Sequence, residues 1–157
     1  MAEPAHQVIG HRPLTQAEAD SICLRHDRLW SSRMGGARAV FTWKDLTGLD
    51  LSSRNLCDAD FTGAILAGCN LSHARLDNAN FFGADLQGAK LCEASLRRAD
   101  LRGASLKGAD LTAADLFEAD LREGTIAAAD RESNALSFRT TARIARTSSV
   151  VSTSLIT

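Results

Sequence analysis

Tyrosine is absent from this chain of 157 residues, proline occurs twice, and aromatic residues make up only 5%. A conventional sandwich or α/β domain fills its core with more large residues than that. An excess of one charge sign is also missing: 18 Lys and Arg face 19 Asp and Glu, a net of −1. That balance argues against a nucleic-acid binder held by bulk charge, and no direct nucleic-acid binding is expected. No stretch approaches the roughly 18 continuous apolar residues of a membrane span, so no membrane association is expected either. The segment Met1 to Gln7 lacks the basic start and apolar run of a secretory signal. The cysteines, at 23, 57, 69 and 92, form no CxxC pair and no small secreted framework. The expectation is a cytoplasmic protein with reduced thiols. Apolar residues at 45% and charged residues at 24% are ordinary values and argue against a largely disordered chain, and the length suits one domain.

What is present is a repeat of five. Every fifth residue from Phe41 is large and apolar: Phe41, Leu46, Leu51, Leu56, Phe61, Leu66, Leu71, Leu76, Phe81, Leu86, Leu91, Leu96, Leu101, Leu106, Leu111, Leu116, Leu121 and Ile126. Two residues before each, from Ala59 to Ala119, stands Ala at every step except Cys69. The residue between is mostly Asp or Asn, as in Asp60, Asn80 and Asp100. Five matches neither the 3.6 of a helix nor the simple 2 of a strand. It suits a chain that turns a corner every five residues, pointing a small and a large side chain inward and the polar one outward.

This pattern resembles that of the pentapeptide-repeat family, A(D/N)LXX, here Ala84-Asp85-Leu86-Gln87-Gly88 and Ala109-Asp110-Leu111-Thr112-Ala113, over residues 39–128. The resemblance implies an all-β solenoid, a right-handed quadrilateral β-helix with four pentapeptides per coil. The sequence supports a 20-residue coil by itself. Phe takes the large inward slot only at 41, 61 and 81, and corner glycines recur as Gly63, Gly83, Gly103 and as Gly48, Gly68, Gly88, Gly108. The other two corners carry Ser53, His73, Glu93, Ala113 and Asp58, Asn78, Arg98, Glu118. Eighteen units make about 4.5 coils, a rod on the order of 20 Å long at about 4.8 Å per coil. The expected core is Phe61, Leu66, Leu71, Leu76, Phe81, Leu86, Leu91, Leu96, Leu101, Leu106, Leu111, Leu116 and Leu121, lined by the Ala column.

Coil ends leave unpaired backbone that must be covered. Thr15 and Glu18 have capping-box spacing, and Ala19, Ile22, Cys23, His26, Leu29 and Trp30 form one helical stripe, so residues 15–36 are expected to be an N-terminal α-helical cap stopped by Gly35-Gly36. Residues 1–14 read as a flexible arm, 37–130 as the solenoid. Lys44, Leu49 and Arg54 occupy slots that belong to Ala, which predicts a wider first turn packed on the helix. The Ser/Thr-rich segment 131–157 reads as a mobile or partly helical tail, or as a C-terminal cap or dimerising element, so the chain is expected to be a monomer or a tail-mediated dimer.

Catalytic chemistry is not indicated. Carboxylates follow the repeat rather than a cleft, as expected of side chains that hydrogen-bond locally to backbone. Cys57 and Cys92 should point outward from different faces, no metal or cofactor site converges, and no GxxxxGK[ST] or HExxH motif occurs. The expected function is that of a non-catalytic, rigid interaction module for a protein partner of unknown identity. Some relatives of the resembled family are acidic DNA mimics that occupy a type II topoisomerase, DNA gyrase, which supplies the alternative. Residues 41–128 hold 13 acids and nine bases, a net of −4, and Arg97, Arg98, Arg102, Lys107 and Arg122 interrupt the acidic columns. The candidate surface is the face carrying Arg75, Asp77, Arg97, Asp115 and Phe117, bordered by His73, Glu93 and by Asn78, Arg98, Glu118. Phe117 and Arg97, 20 residues apart, form the expected anchor pair, with Phe82 on a neighbouring face as its rival.

Overall fold

The computed structural model describes residues 11–122. The tail, the Ile126 slot and the first ten residues of the expected arm lie outside them. From Val40 onward the backbone makes parallel bridges between residues 20 apart: Val40 with Asp60, Asp45 with Ile65, Asp50 with Asn70, Asn55 with Arg75, and so on to Asp100 with Asp120. Four five-residue units therefore close each coil, and the chain is a repeat β-solenoid.

One unit explains the repeat chemically, because all five of its N–H groups find acceptors. In the unit that begins at Asp60, the Asp60 N–H donates to Ala39 O of the preceding coil (3.0 Å), and Phe61 and Gly63 donate to Asn80 O and Phe82 O of the next (2.7 and 2.9 Å). Ala64 N–H donates to Phe61 O (2.9 Å), closing a β-turn. The remaining N–H, of Thr62, donates to the Asp60 side chain at 3.0 Å. The Asp or Asn of the motif is thus an Asx-turn acceptor for the residue two further on, a role repeated by Asp45, Asp50, Asn70, Asn80 and Asp110. The turn's third residue has positive φ at every corner, at Glu93 and Arg98 (56°) as at Gly63 (61°). Side-chain-bearing corners therefore adopt the left-handed conformation that favours glycine.

The interior is the stacked column of large residues. Phe41, Phe61 and Phe81 lie ring over ring at 4.9 and 4.8 Å, within 10° and 1° of parallel, at the spacing of adjacent strands. Leu66, Leu71, Leu76, Leu86, Leu91, Leu96 and Leu116 are fully buried, and Leu101, Leu106 and Leu111 nearly so. Leu121, in the last described unit, is only partly buried.

The beginning of the rod departs from the sequence reading in three ways. First, residues 11–14 are not a loose arm. β1 (Arg12–Pro13) pairs in parallel with β2 (Lys44–Asp45), and the buried Leu14 donates its N–H to Asp45 O at 2.8 Å. Second, the first coil is not wider: its bridges keep the 20-residue step. Lys44, Leu49 and Arg54 are half-buried, Leu49 against the core, and Arg54 reaches Asp20 at 2.7 Å. Third, the helix α1 (Gln16–Trp30) ends well before Gly35. Ser31 N–H and Oγ–H both bond Asp27 O, Ser32 takes φ 54°, and Arg33 N–H donates to Arg28 O, a Schellman-like wrap built without glycine.

Helix α1 begins with the capping box: Glu18 N–H donates to Thr15 Oγ1, and Thr15 N–H donates to the Glu18 carboxylate. Its buried stripe is Ala19, Cys23 and His26, whereas Leu29 and Trp30 stay about half-exposed. Two of its side chains stand where a preceding coil would be. The Gln16 carboxamide accepts from Asp50 N–H (2.9 Å) and donates to Asp50 O (2.8 Å), replacing a peptide unit. His26 Nδ1 accepts the Ala39 N–H at 3.0 Å.

Candidate interaction surface

The face singled out above is the one that runs through bridge residues Asn55, Arg75, Ser95 and Asp115. Its outward positions are Cys57, Asp77, Arg97 and Phe117, set one coil apart. Arg97 lies over the Phe117 ring, 4.9 Å from its centroid, and its Nη1 is 3.3 Å from Asp115 Oδ2. The guanidinium is thus held between an aromatic face and a carboxylate. At the corners His73 Nδ1 lies 3.4 Å from Glu93, and Arg98 Nε donates to Glu118 at 2.6 Å. Arg75 and Asn78 have no side-chain partner among the described residues, and Arg75 is exposed. The structure therefore pairs His73 with Glu93, Arg97 with Phe117 and Asp115, and Arg98 with Glu118, and leaves Arg75 and Asn78 outside these pairs.

Asp77 serves a purpose that the repeat pattern hides. Where the Asx-turn acceptor is missing, at Ser95, Asp77 reaches across from the neighbouring coil. It accepts from Arg97 N–H at 3.3 Å and from the Ser95 hydroxyl. Asp77 Oδ2 is also 3.9 Å from Cys57 Sγ. Cys57, at an outward unit position, is nonetheless buried, at 3% exposure. Burial, and secondarily the Asp77 carboxylate, push its thiol pKa up. Cys23 and Cys69 are driven further by burial, to about 11 and about 12. Cys92, half-exposed, is raised by its hydrogen bond to Asp110. All four cysteines are free.

Phe82, the rival anchor, is arranged like Phe117. Arg102 lies over its ring at 5.4 Å and forks onto Asp100 with bonds of 2.8 and 2.7 Å, which hold the Asp100 carboxyl below its ordinary pKa. Both outward aromatics are half-buried under an arginine. The signal for this was in the sequence, as an arginine one coil before or after each Phe. Among the described residues no group of His, Cys, Asp and Glu is placed to hold a metal ion. No helix among them is long and apolar enough to cross a membrane.

The pentapeptide-repeat family model matches residues 45–83 and 79–116, in eight copies. Residues 45–116 of the chain belong to the pentapeptide-repeat family. Among solved pentapeptide-repeat structures, it is similar to Rfr23 from the cyanobacterium Cyanothece 51142, with 39% identity and a TM-score of 0.53, over 54% of this chain and 57% of that one. It is also similar to a pentapeptide-repeat protein from the Arabidopsis thaliana thylakoid lumen, with 45% identity and a TM-score of 0.48, over 48% of this chain and 52% of that one. The match thus spans about half the length of either relative. QnrB1, a plasmid-mediated fluoroquinolone resistance protein, is 22% identical over 60% of this chain and 56% of that one, with a TM-score of 0.21. A likeness that slight carries no argument about activity. No curated protein matches the chain.

Proposed function

We propose that this pentapeptide-repeat protein is a non-catalytic, rigid scaffold that docks a protein partner on the face of Arg75, Arg97, Asp115 and Phe117. In this reading the coil is right-handed and quadrilateral, α1 acts as its N-terminal cap, and the protein works in the cytoplasm. The observation that carries the docking face is the Arg97–Phe117 stack braced by Asp115. Arginine and aromatic residues are the commonest binding hot spots, and here both are held in place before any partner arrives. Arg75 one coil away offers an exposed guanidinium to a partner carboxylate. Neither nucleic acid nor a membrane is part of this reading, and any dimer would form through segment 131–157.

Against DNA mimicry of a gyrase substrate stand the ion pairs along the rod. Asp60, Asp100, Asp115, Glu118 and Asp120 each face an arginine within 3.4 Å. A mimic needs an uninterrupted negative column. The test is a photo-cross-linking residue placed at position 117 or at Gln87, two faces away. A partner trapped from position 117 and not from 87 supports the docking face; equal trapping from both contradicts it. In a gyrase supercoiling assay the protein is expected to have no effect.

A further inference from the structure

A second surface, at the end of α1, has a different electrostatic character. Along the rod, Arg38, Arg97, Arg98, Arg102 and Arg122 pair with rod carboxylates, whereas Arg75 does not. At the end of α1 the reverse holds. Arg25, Arg28 and Arg33 are exposed and have no partner among the described residues. Beside them stand Leu29 (48% exposed), Trp30 (50%) and Met34 (97%). The wrap after the helix folds the chain that carries Arg33 and Met34 back onto the helix end, where Arg33 N–H bonds Arg28 O (2.9 Å) and Ala37 N–H bonds Arg25 O (3.0 Å), so that these residues make one knob. Arg28 also suits the helix dipole, but Arg33 lies beyond the helix, and dipole effects fade within the last turn.

We infer that this knob is a docking site for an acidic protein segment carrying apolar side chains among its carboxylates. All three cations are Arg, whose planar fork matches a carboxylate bidentately, and Arg, Trp and Met are the residue types enriched at protein interfaces. Charge complementarity excludes the chain's own ends as occupant. Residues 123–157 hold three acids against four arginines, and residues 1–10 hold a single acid. The site goes beyond the Arg97–Phe117 face and does not depend on it.

The probe is a fluorescent peptide alternating Glu with Leu, titrated into the full chain and followed by anisotropy. Controls are the same peptide with Gln for Glu, and phosphatidylglycerol vesicles. The Glu peptide is expected to bind with a salt-sensitive affinity that falls at least tenfold in Arg25→Gln/Arg28→Gln/Arg33→Gln and is unchanged in Arg97→Ala/Phe117→Ala. Circular dichroism checks that each variant is folded. Equal binding of the Gln peptide, an unchanged affinity in the triple variant, or no binding at all overturns the inference. Binding to vesicles but not to the Glu peptide overturns it in favour of a lipid surface. Loss only in the Arg97/Phe117 variant would implicate that face instead.

Discussion

Gly63 and Gly88 occupy equivalent kinds of corner, with φ of 61° and 64°, yet their surroundings differ. A methyl group added at Gly88 would meet nothing within 4 Å, whereas one added at Gly63 would lie 2.5 Å from two carbons of the Trp43 ring. Both Gly→Ala substitutions place a side chain in the left-handed region, at a cost of about 1–2 kcal/mol. Ala113 already tolerates φ 58° in this fold, so neither substitution should prevent folding. At Gly63 the ring must also swing off the corner and leave its contact with His11, whose centroid is 5.9 Å away. Trp43 is half-exposed, so about 100 Å² of apolar surface is in play, worth up to about 2.5 kcal/mol. Gly63→Ala should therefore destabilise by about 2–4 kcal/mol and Gly88→Ala by about 1–2 kcal/mol. Urea unfolding followed by far-ultraviolet circular dichroism measures both, with Trp43→Ala completing a double-mutant cycle. Coupling between positions 43 and 63 of about 1 kcal/mol or more is expected. Equal losses at the two glycines, with no coupling to Trp43, would refute the reasoning.

Leu76→Ala, at a fully buried slot, should cost about 2–5 kcal/mol, and Leu121→Ala, at a partly buried one, clearly less; equal costs by urea unfolding would contradict the buried column. His26 must stay neutral to accept the Ala39 N–H. Burial lowers its pKa from the ordinary 6.5, with the hydrogen bond to the Cys57 backbone, then Asp27 and Asp58, opposing and Arg38 reinforcing. Below pH 6.5 the unfolded chain binds a proton that the folded one refuses, so stability falls by up to about 1.4 kcal/mol per pH unit until the folded pKa is reached. Thermal melts between about pH 6.5 and 5 should show this slope and lose it in His26→Gln, whereas identical slopes would remove His26 from the account. Thiol labelling of the native protein should modify Cys92 first and Cys23 and Cys69 last, as their burial dictates; early labelling of Cys69 would contradict the filled interior.

The coil was legible because its chemistry repeats. The inward slots, the 20-residue step and the outward Asp or Asn each recur often enough to be read from residues alone. What escaped occurs once. β1 is two residues long and includes Pro13, which gives no strand signal; as an outer strand, though, it loses nothing by lacking an N–H. Gln16 replaces a peptide unit through its side chain, which no hydrophobic pattern records. The helix stop fell at Ser31-Ser32 because a non-glycine residue took the left-handed position. At the candidate surface the pairing of Arg97 with Phe117 followed from the coil step. The burial of Cys57 and the reach of Asp77 to the next coil did not, since both depend on packing between particular neighbours.

The docking face is tested most directly by the affinity of its partner, once trapped at position 117, for the protein and for the Arg97→Ala/Phe117→Ala variant. Isothermal titration should show a loss of more than about 2 kcal/mol in the double variant, while circular dichroism stays that of the unaltered fold. An unchanged affinity in a folded double variant would contradict the assignment of this face.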